Sequence, residues 1–178
     1  MRKLLLTAGA LLLLASATTA QDKRFEVFTG YSFSRVDTAS PGRSNLHGWN
    51  AAVEANVNRF FGLVGDFSGH YGERTVIPGI QRNINTHAAL FGPRVRLPGR
   101  VRPFAHALFG VARGSAGVFG STNSDTAFGM AAGGGIDADL TDDGGVSWRI
   151  VQADYLMNRF FDRNNNNFRL STGLVFRF

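Results

Sequence analysis

The segment Phe168–Phe178 reads F-R-L-S-T-G-L-V-F-R-F, and it decides the fold. Apolar side chains occupy nearly every second residue, and basic or small residues fill most positions between them. Successive side chains of a β-strand point to opposite faces. The segment therefore predicts a strand with one oily, aromatic face and one face that carries Arg169 and Arg177.

Seven further segments repeat this alternation. The clearest is 49–58, where Trp49, Val53 and Val57 share one parity and Glu54 lies on the other. A period of two fits no helical face. Their length, about 10 to 14 residues, suits a tilted strand that crosses a bilayer. The eight predicted strands cover 25–34, 49–58, 63–71, 88–97, 104–111, 130–140, 146–157 and 168–178.

Two of these strands contain an irregularity. In the seventh, Trp148 and Ile150 share a parity, whereas Ala153 and Tyr155 hold the other. We expect a β-bulge near Val151, because one extra residue resets the register. Pro93 is the second irregularity, since proline cannot donate to a strand ladder.

The connections alternate between short and long, which predicts the topology. Short turns fall at 58–60, 98–100 and 141–145, and long polar loops at 37–46, 72–83, 114–125 and 158–167. Outer-membrane barrels have short periplasmic turns and long external loops. Only helices and closed barrels can satisfy their backbone in hydrocarbon. We therefore predict an all-β, eight-stranded antiparallel up-and-down transmembrane barrel with its oily parity facing lipid.

The N-terminus predicts export. Arg2 and Lys3 precede an apolar run and then small residues through Ala20, the order of a secretory signal. We predict a Sec-type signal peptide at 1–20 and the barrel domain at 21–178. No later stretch is apolar enough for a transmembrane helix. Cysteine is absent, which excludes both a disulfide framework and a lipid-anchored cysteine.

The pattern resembles the OmpA/OmpX type of transmembrane barrel, and most of all the single-domain "outer membrane protein β-barrel domain" chains. The segments that carry the resemblance are E-V-F-T-G-Y-S-F-S-R at 26–35, N-V-N-R-F-F-G-L-V-G-D-F-S-G-H-Y at 56–71, L-F-G-P-R at 90–94, P-F-A-H-A-L-F-G at 103–110 and the terminal L-V-F-R-F. The resemblance implies outer-membrane localisation. It also implies that the terminal strand, through Leu174, Phe176 and Phe178, forms the signal read by the barrel-assembly machinery.

The polar parity holds the candidate site. An eight-stranded barrel is just wide enough for its side chains, and buried charges there should pair. A gated channel and a self-satisfying plug both fit such a network. The candidate lumen ion-pair residues are Glu54, Asp66, Arg94, Arg96, His106 and Asp137; the same parity also carries Glu26, Asp139, Arg169, Arg177 and His70.

No catalytic, cofactor or metal motif emerges. The four histidines are His47, His70, His87 and His106, and they lack a short ligand spacing. Asp66, Ser68 and His70 share a face, but that face points away from lipid substrates. Gly133, Gly134 and Gly135 precede no helix, so they predict a close approach or bend and not a phosphate loop.

These observations favour an integral outer-membrane protein with a structural or surface role in envelope integrity, including adhesion, and without catalysis or a cofactor. The alternatives are a narrow diffusion pore gated by the ion pairs and a soluble, secreted lipocalin-like binder. The expected partners are outer-membrane lipid, lipopolysaccharide and the assembly machinery. We expect a monomer. Although the pI is near 10.7, we expect no nucleic acid as a partner, because an exported chain rarely meets any.

Overall fold

The computed structural model describes residues 23–37, 43–77, 80–118, 121–160 and 163–178. Each strand in these ranges pairs antiparallel with the next, and the last pairs with the first, so the sheet closes into a barrel. This confirms the predicted topology. The strands are β1 Phe25–Asp37, β2 Arg43–Asn56, β3 Phe61–Ile77, β4 Ile80–Arg96, β5 Val101–Val118, β6 Ser121–Asp139, β7 Val146–Phe160 and β8 Arg163–Arg177.

In the described part of the chain, no helix is long and apolar enough to cross a bilayer. The signal peptide predicted at 1–20 lies outside the described residues and stays a prediction.

The seam between β1 and β8 closes the sheet. Val27 pairs with Phe176, and the ladder continues to Arg35 opposite Phe168. At the end of the barrel that carries the short turns, Phe25 N donates to Phe178 O at 3.2 Å and Phe178 N donates to Phe25 O at 2.9 Å. We call this end periplasmic, because outer-membrane barrels place their short turns there. A closed sheet leaves no edge whose backbone groups would face hydrocarbon unpaired.

The two parities face opposite environments, as predicted. Phe91 on the outer wall is 58 % exposed, whereas Arg169 on the inner parity is fully buried. Large apolar side chains cover the outside on every strand, including Trp49, Tyr71 and Phe109. The apolar outer wall suits a lipid environment. The interior combines paired polar groups with a buried apolar cluster of Phe28, Ala52, Val64, Leu90, Leu108, Ala131 and Val175.

The strands are longer than predicted. They run from 13 residues in β1 to 19 in β6, so most of the four long polar loops are strand. The loop prediction was wrong because low hydropathy marks only where the chain leaves lipid; a ladder continues as long as a neighbouring strand pairs with it. The hairpin tips at 38–42, 78–79, 119–120 and 161–162 lie outside the described residues.

The predicted bulge is confirmed in β7. The register with β6 shifts between Arg149 and Val151, and the register with β8 shifts between Arg149 and Gln152. The consecutive Ile150 and Val151 both face outward. One extra outward residue returns Gln152 to the lumen. Pro93 also behaves as expected, since its position has no partner in the β5 register.

The three periplasmic turns are short, as predicted. In the first, Asn58 Oδ1 accepts from Phe60 N at 2.8 Å and from Phe61 N at 2.9 Å, which fixes a tight reversal. In the third, Gly144 adopts a φ of 63°, a left-handed conformation that favours glycine.

Candidate functional site

The lumen holds balanced charge. Equal numbers of buried cations and carboxylates matter, because an uncompensated buried charge costs several kcal/mol. Among the described residues, six arginines face six carboxylates across it. The arginines are Arg94, Arg96, Arg102, Arg149, Arg169 and Arg177, and the carboxylates are Glu26, Glu54, Asp66, Asp137, Asp139 and Asp154.

Arg169 joins two of these carboxylates across the barrel. Its Nη1 donates to Asp66 Oδ1 at 2.7 Å, and its Nη2 and Nε donate to Asp154 Oδ2 at 2.6 and 2.9 Å. Asn50 Nδ2 also donates to Asp66, at 3.0 Å. β8 is therefore tied to β3 and to β7 by charge-assisted bonds, which are about twice as strong as neutral ones.

His106 links this centre to Arg94. Arg94 Nη2 lies 3.2 Å from His106 Nδ1, and His106 Nε2 lies 2.7 Å from Asp154 Oδ1. A guanidinium can only donate, so Nδ1 must accept and the ring proton sits on Nε2. His106 is therefore neutral, accepts a hydrogen bond from Arg94 and donates one to Asp154.

Arg149 spans the middle of the lumen. Its Nε and Nη2 donate to the two oxygens of Asp137 at 2.8 and 3.1 Å. Its guanidinium also lies 4.2 Å from the Phe28 ring centre and 4.5 Å from that of Phe104. A planar cation held between two aromatic faces packs as tightly as a core residue.

The periplasmic end carries the remaining pairs. Arg96 donates to both Glu26 and Glu54, and Arg102 donates to Asp139. Arg177 Nη1 lies 3.2 Å from Asp139 Oδ1. Below this layer the lumen opens into a cavity of about 560 Å³.

Side chains crowd two levels of the described lumen. The space between Arg94, Phe104, Asp137 and Arg177 leaves no room for a water molecule. Towards the outside, the cavity beside His70 measures only about 20 Å³. The ion pairs therefore form a packed plug.

The glycine run makes room for this plug, as the close-approach interpretation predicts. A Cβ at Gly133 would collide with Asp154 Oδ1 and with the backbone oxygen of Ala153. One at Gly135 would collide with the backbone oxygen of Val151 and lie 2.7 Å from Phe104 Cζ. Side chains at these inward positions would displace the carboxylate and the ring.

The structure places Glu54, Asp66, Arg94, Arg96, His106 and Asp137 in the lumen, all within the network described above. Sequence reasoning missed four members: Arg102, Arg149, Gln152 and Asp154. The bulge at Val151 was the available signal for three of them, because it puts Arg149 before the shift and Gln152 and Asp154 after it on one inner face.

The other sequence candidates do not assemble into a catalytic or metal site. His70 Nε2 bonds to Ser32 Oγ at 2.8 Å, while Asp66 is engaged by Arg169 and Asn50. No set of three or more His, Cys, Asp or Glu side chains that could hold a metal occurs in the described ranges.

The terminal aromatic residues lie along the closing strand. Leu174 and Phe178 are each 41 % exposed on the outer wall, and Phe176 pairs with Val27 across the seam.

An oily outer wall around a packed, charge-balanced lumen defines a class, the small transmembrane barrel. The chain belongs to the outer membrane protein beta-barrel domain family, whose model matches residues 5–178, and it is therefore an outer-membrane protein.

Solved structures show the same fold. The attachment invasion locus protein Ail of Yersinia pestis is 21 % identical, with a TM-score of 0.63 over 88 % of this chain and 100 % of Ail. Neisserial surface protein A is 17 % identical, with a TM-score of 0.65 over 86 % of this chain and 97 % of its own. The N-terminal barrel of Pseudomonas aeruginosa OprF is 12 % identical, with a TM-score of 0.52 over 89 % and 100 %. No curated protein matches the chain.

Proposed function

We propose that this protein is a closed surface barrel that strengthens the envelope and presents its external end for attachment, without catalysis. The observation that carries the proposal is the plug: Arg149 and Phe104 fill the lumen on which a pore would depend. The barrel then acts through its two ends and its outer wall.

Conductance in planar bilayers tests the closed lumen. We expect the purified protein to give no steady current, because opening a path requires several buried ion pairs to separate together. The double variant Arg149→Ser/Phe104→Ala removes both plug side chains and serves as the conducting control. Steady current from the unaltered protein would establish the pore alternative instead.

A polar arc follows the oily belt towards the outside. Nearer the outside, the outward positions change from apolar to polar on three strands. Arg35 lies beyond Phe33 on β1, His47 lies beyond Trp49 on β2, and Arg113 lies beyond Val111 on β5. Arg113 is exposed, and it pairs in register with His87 of β4. Glu73 is an acidic, exposed residue further along β3.

This arc supports lipopolysaccharide as a partner, because arginine donates to phosphate in a planar fork. We expect Arg35→Gln/Arg113→Gln to reduce the thermal stabilisation that added lipopolysaccharide gives the protein in detergent. Arg100→Gln, in a periplasmic turn, is the matched control. If lipopolysaccharide stabilised the unaltered protein, the double variant and Arg100→Gln equally, the polar arc would not be its binding surface. The loop arginines Arg43, Arg74, Arg82, Arg159 and Arg163 have side chains outside the described part and stay predictions.

Attachment is supported by fold alone. Ail is an attachment protein by name, and it also occurs in complex with the heparin analogue sucrose octasulfate. Expression of the present barrel in a non-adherent bacterium should increase binding to immobilised heparin or host cells. No increase, with the barrel confirmed at the surface by external labelling, would leave envelope integrity as its role. Incubation with labelled phospholipid and lipid A should give no turnover.

A further inference from the structure

The cavity at the periplasmic mouth is unlike the plug above it, because its charge is not balanced. It measures about 560 Å³ and opens between the short turns. Of the described side chains that line it, Glu26 and Asp143 supply the carboxylates. Six cations line it: Lys23, Arg24, Arg59, Arg96, Arg102 and Arg177.

Pairing leaves two of these cations uncompensated. Arg96, Arg102 and Arg177 meet carboxylates of the plug on their inner side, and Lys23 Nζ lies 3.3 Å from Asp143 Oδ2. Arg24 and Arg59 have no ion-pair partner within the described residues. Arg59 instead lies 5.0 Å from the Phe60 ring centre. Among the described side chains, Arg24 and Arg59 are therefore the cations of the mouth that no carboxylate side chain matches.

The floor of the cavity also has spare donor capacity. The Nε–H groups of Arg96 and Arg102 are buried and make no hydrogen bond, whereas Arg177 Nε lies 3.1 Å from Glu26 Oε1. The side chains of Arg96 and Arg177 are only 9 % and 4 % exposed. An unmade hydrogen bond on a buried donor is unfavourable, so an acceptor placed against this layer would be stabilised.

We propose that this cavity is a periplasmic binding site for a small dianion, a phosphate monoester or a dicarboxylate. Either carries the two charges that Arg24 and Arg59 leave unmatched, and guanidinium forks suit both oxyanions. A phosphate ester fits better, because its three terminal oxygens accept from several arginines around one cup. The site lies at the end opposite the proposed attachment surface and does not depend on it.

Titration calorimetry of the full folded barrel in nanodiscs tests the proposal. Glycerol phosphate is the probe, succinate is the dicarboxylate arm, and sodium chloride at matched ionic strength controls for screening. We expect saturable binding of glycerol phosphate that is tighter than that of succinate. Tighter succinate binding would assign a dicarboxylate and overturn the preference for phosphate. No saturable binding of either would overturn the site.

Charge variants at the mouth localise the binding. Arg24→Gln/Arg59→Gln should weaken it roughly ten-fold or more, since each removed charge lies within a few ångströms of a dianion. Arg100→Gln is the matched control: Arg100 lies in the neighbouring turn, is exposed, pairs with Asp142 at 2.9 Å and does not line the cavity. Heat-modifiable gel mobility verifies that each variant is folded. Equal weakening of binding by the double variant and by Arg100→Gln would show that binding depends on net charge alone, and would overturn the site.

Discussion

Replacing Arg169 with Gln tests whether charge balance holds the barrel together. The guanidinium supplies three hydrogen bonds, one to Asp66 and two to Asp154, and none of the three side chains is exposed to solvent. Glutamine keeps some hydrogen-bonding capacity but leaves the lumen with one surplus negative charge. Loss of one partner of a buried ion pair costs about 3–5 kcal/mol.

The second variant restores neutrality. Arg169→Gln/Asp154→Asn has equal numbers of positive and negative groups again, and we expect it to recover about 1–3 kcal/mol of the loss, the usual coupling between contacting residues. Arg113→Gln is the control, since it removes an arginine from the outer wall without touching the lumen.

Guanidinium unfolding in detergent micelles measures all three variants. Trp49 and Trp148 both lie on the outer wall, so their fluorescence reports the loss of contact with the micelle. For a slope of about 4 kcal/mol/M, a loss of 4 kcal/mol lowers the midpoint by about 1 M. A single variant within about 0.5 kcal/mol of the unaltered protein, or a double variant no more stable than the single, would refute the reasoning.

Three further perturbations have defined outcomes. Gly133→Ala should destabilise the barrel by about 1–3 kcal/mol through overpacking, whereas Gly65→Ala, whose Cβ would find its nearest neighbour at 3.7 Å, should be nearly neutral in the same unfolding assay. Hydrogen bonds from Thr141 and Gly145 hold the pKa of Asp143 at about 2, below the ordinary value of 3.8. The stabilisation of the fold by the charged Asp143 is therefore present above pH 3.8 and is lost as the pH falls towards 2. Thr141→Val should raise the pKa of the Asp143 carboxyl group, which NMR titration measures. We propose that the terminal strand is an assembly signal, so Phe178→Ala should lower the heat-modifiable fraction in cell membranes while the purified variant still refolds in micelles; normal insertion in cells would contradict this.

Strand alternation predicted more of the fold than of the site. It identified the number of strands, their topology and the lipid-facing parity, because a membrane enforces strict alternation on every strand. It misplaced the external strand ends, because polar residues such as Asn83 and Ser115 pair their backbones as well as apolar ones do.

The pairing inside the lumen could not be predicted from the sequence. Asp66 and Arg169 lie on β3 and β8, which are not neighbours in the sheet, so their contact depends on side chains that cross the barrel. Asp154 was missed for a different reason. Whether Asp154 faces the lumen or the lipid depends on the exact position of the bulge. The sequence located the bulge near Val151 but did not determine which residues on either side of it face inward.

The seam between β1 and β8 has a consequence for biogenesis. Val27 must meet Phe176, a contact between residues far apart in the chain, before either outer edge of the growing sheet is satisfied. Until then both edges carry rows of unpaired amides that can capture another unfolded chain. Proteins dominated by such distant pairings fold slowly. The interval between export and closure is therefore the period in which this protein most needs protection from aggregation.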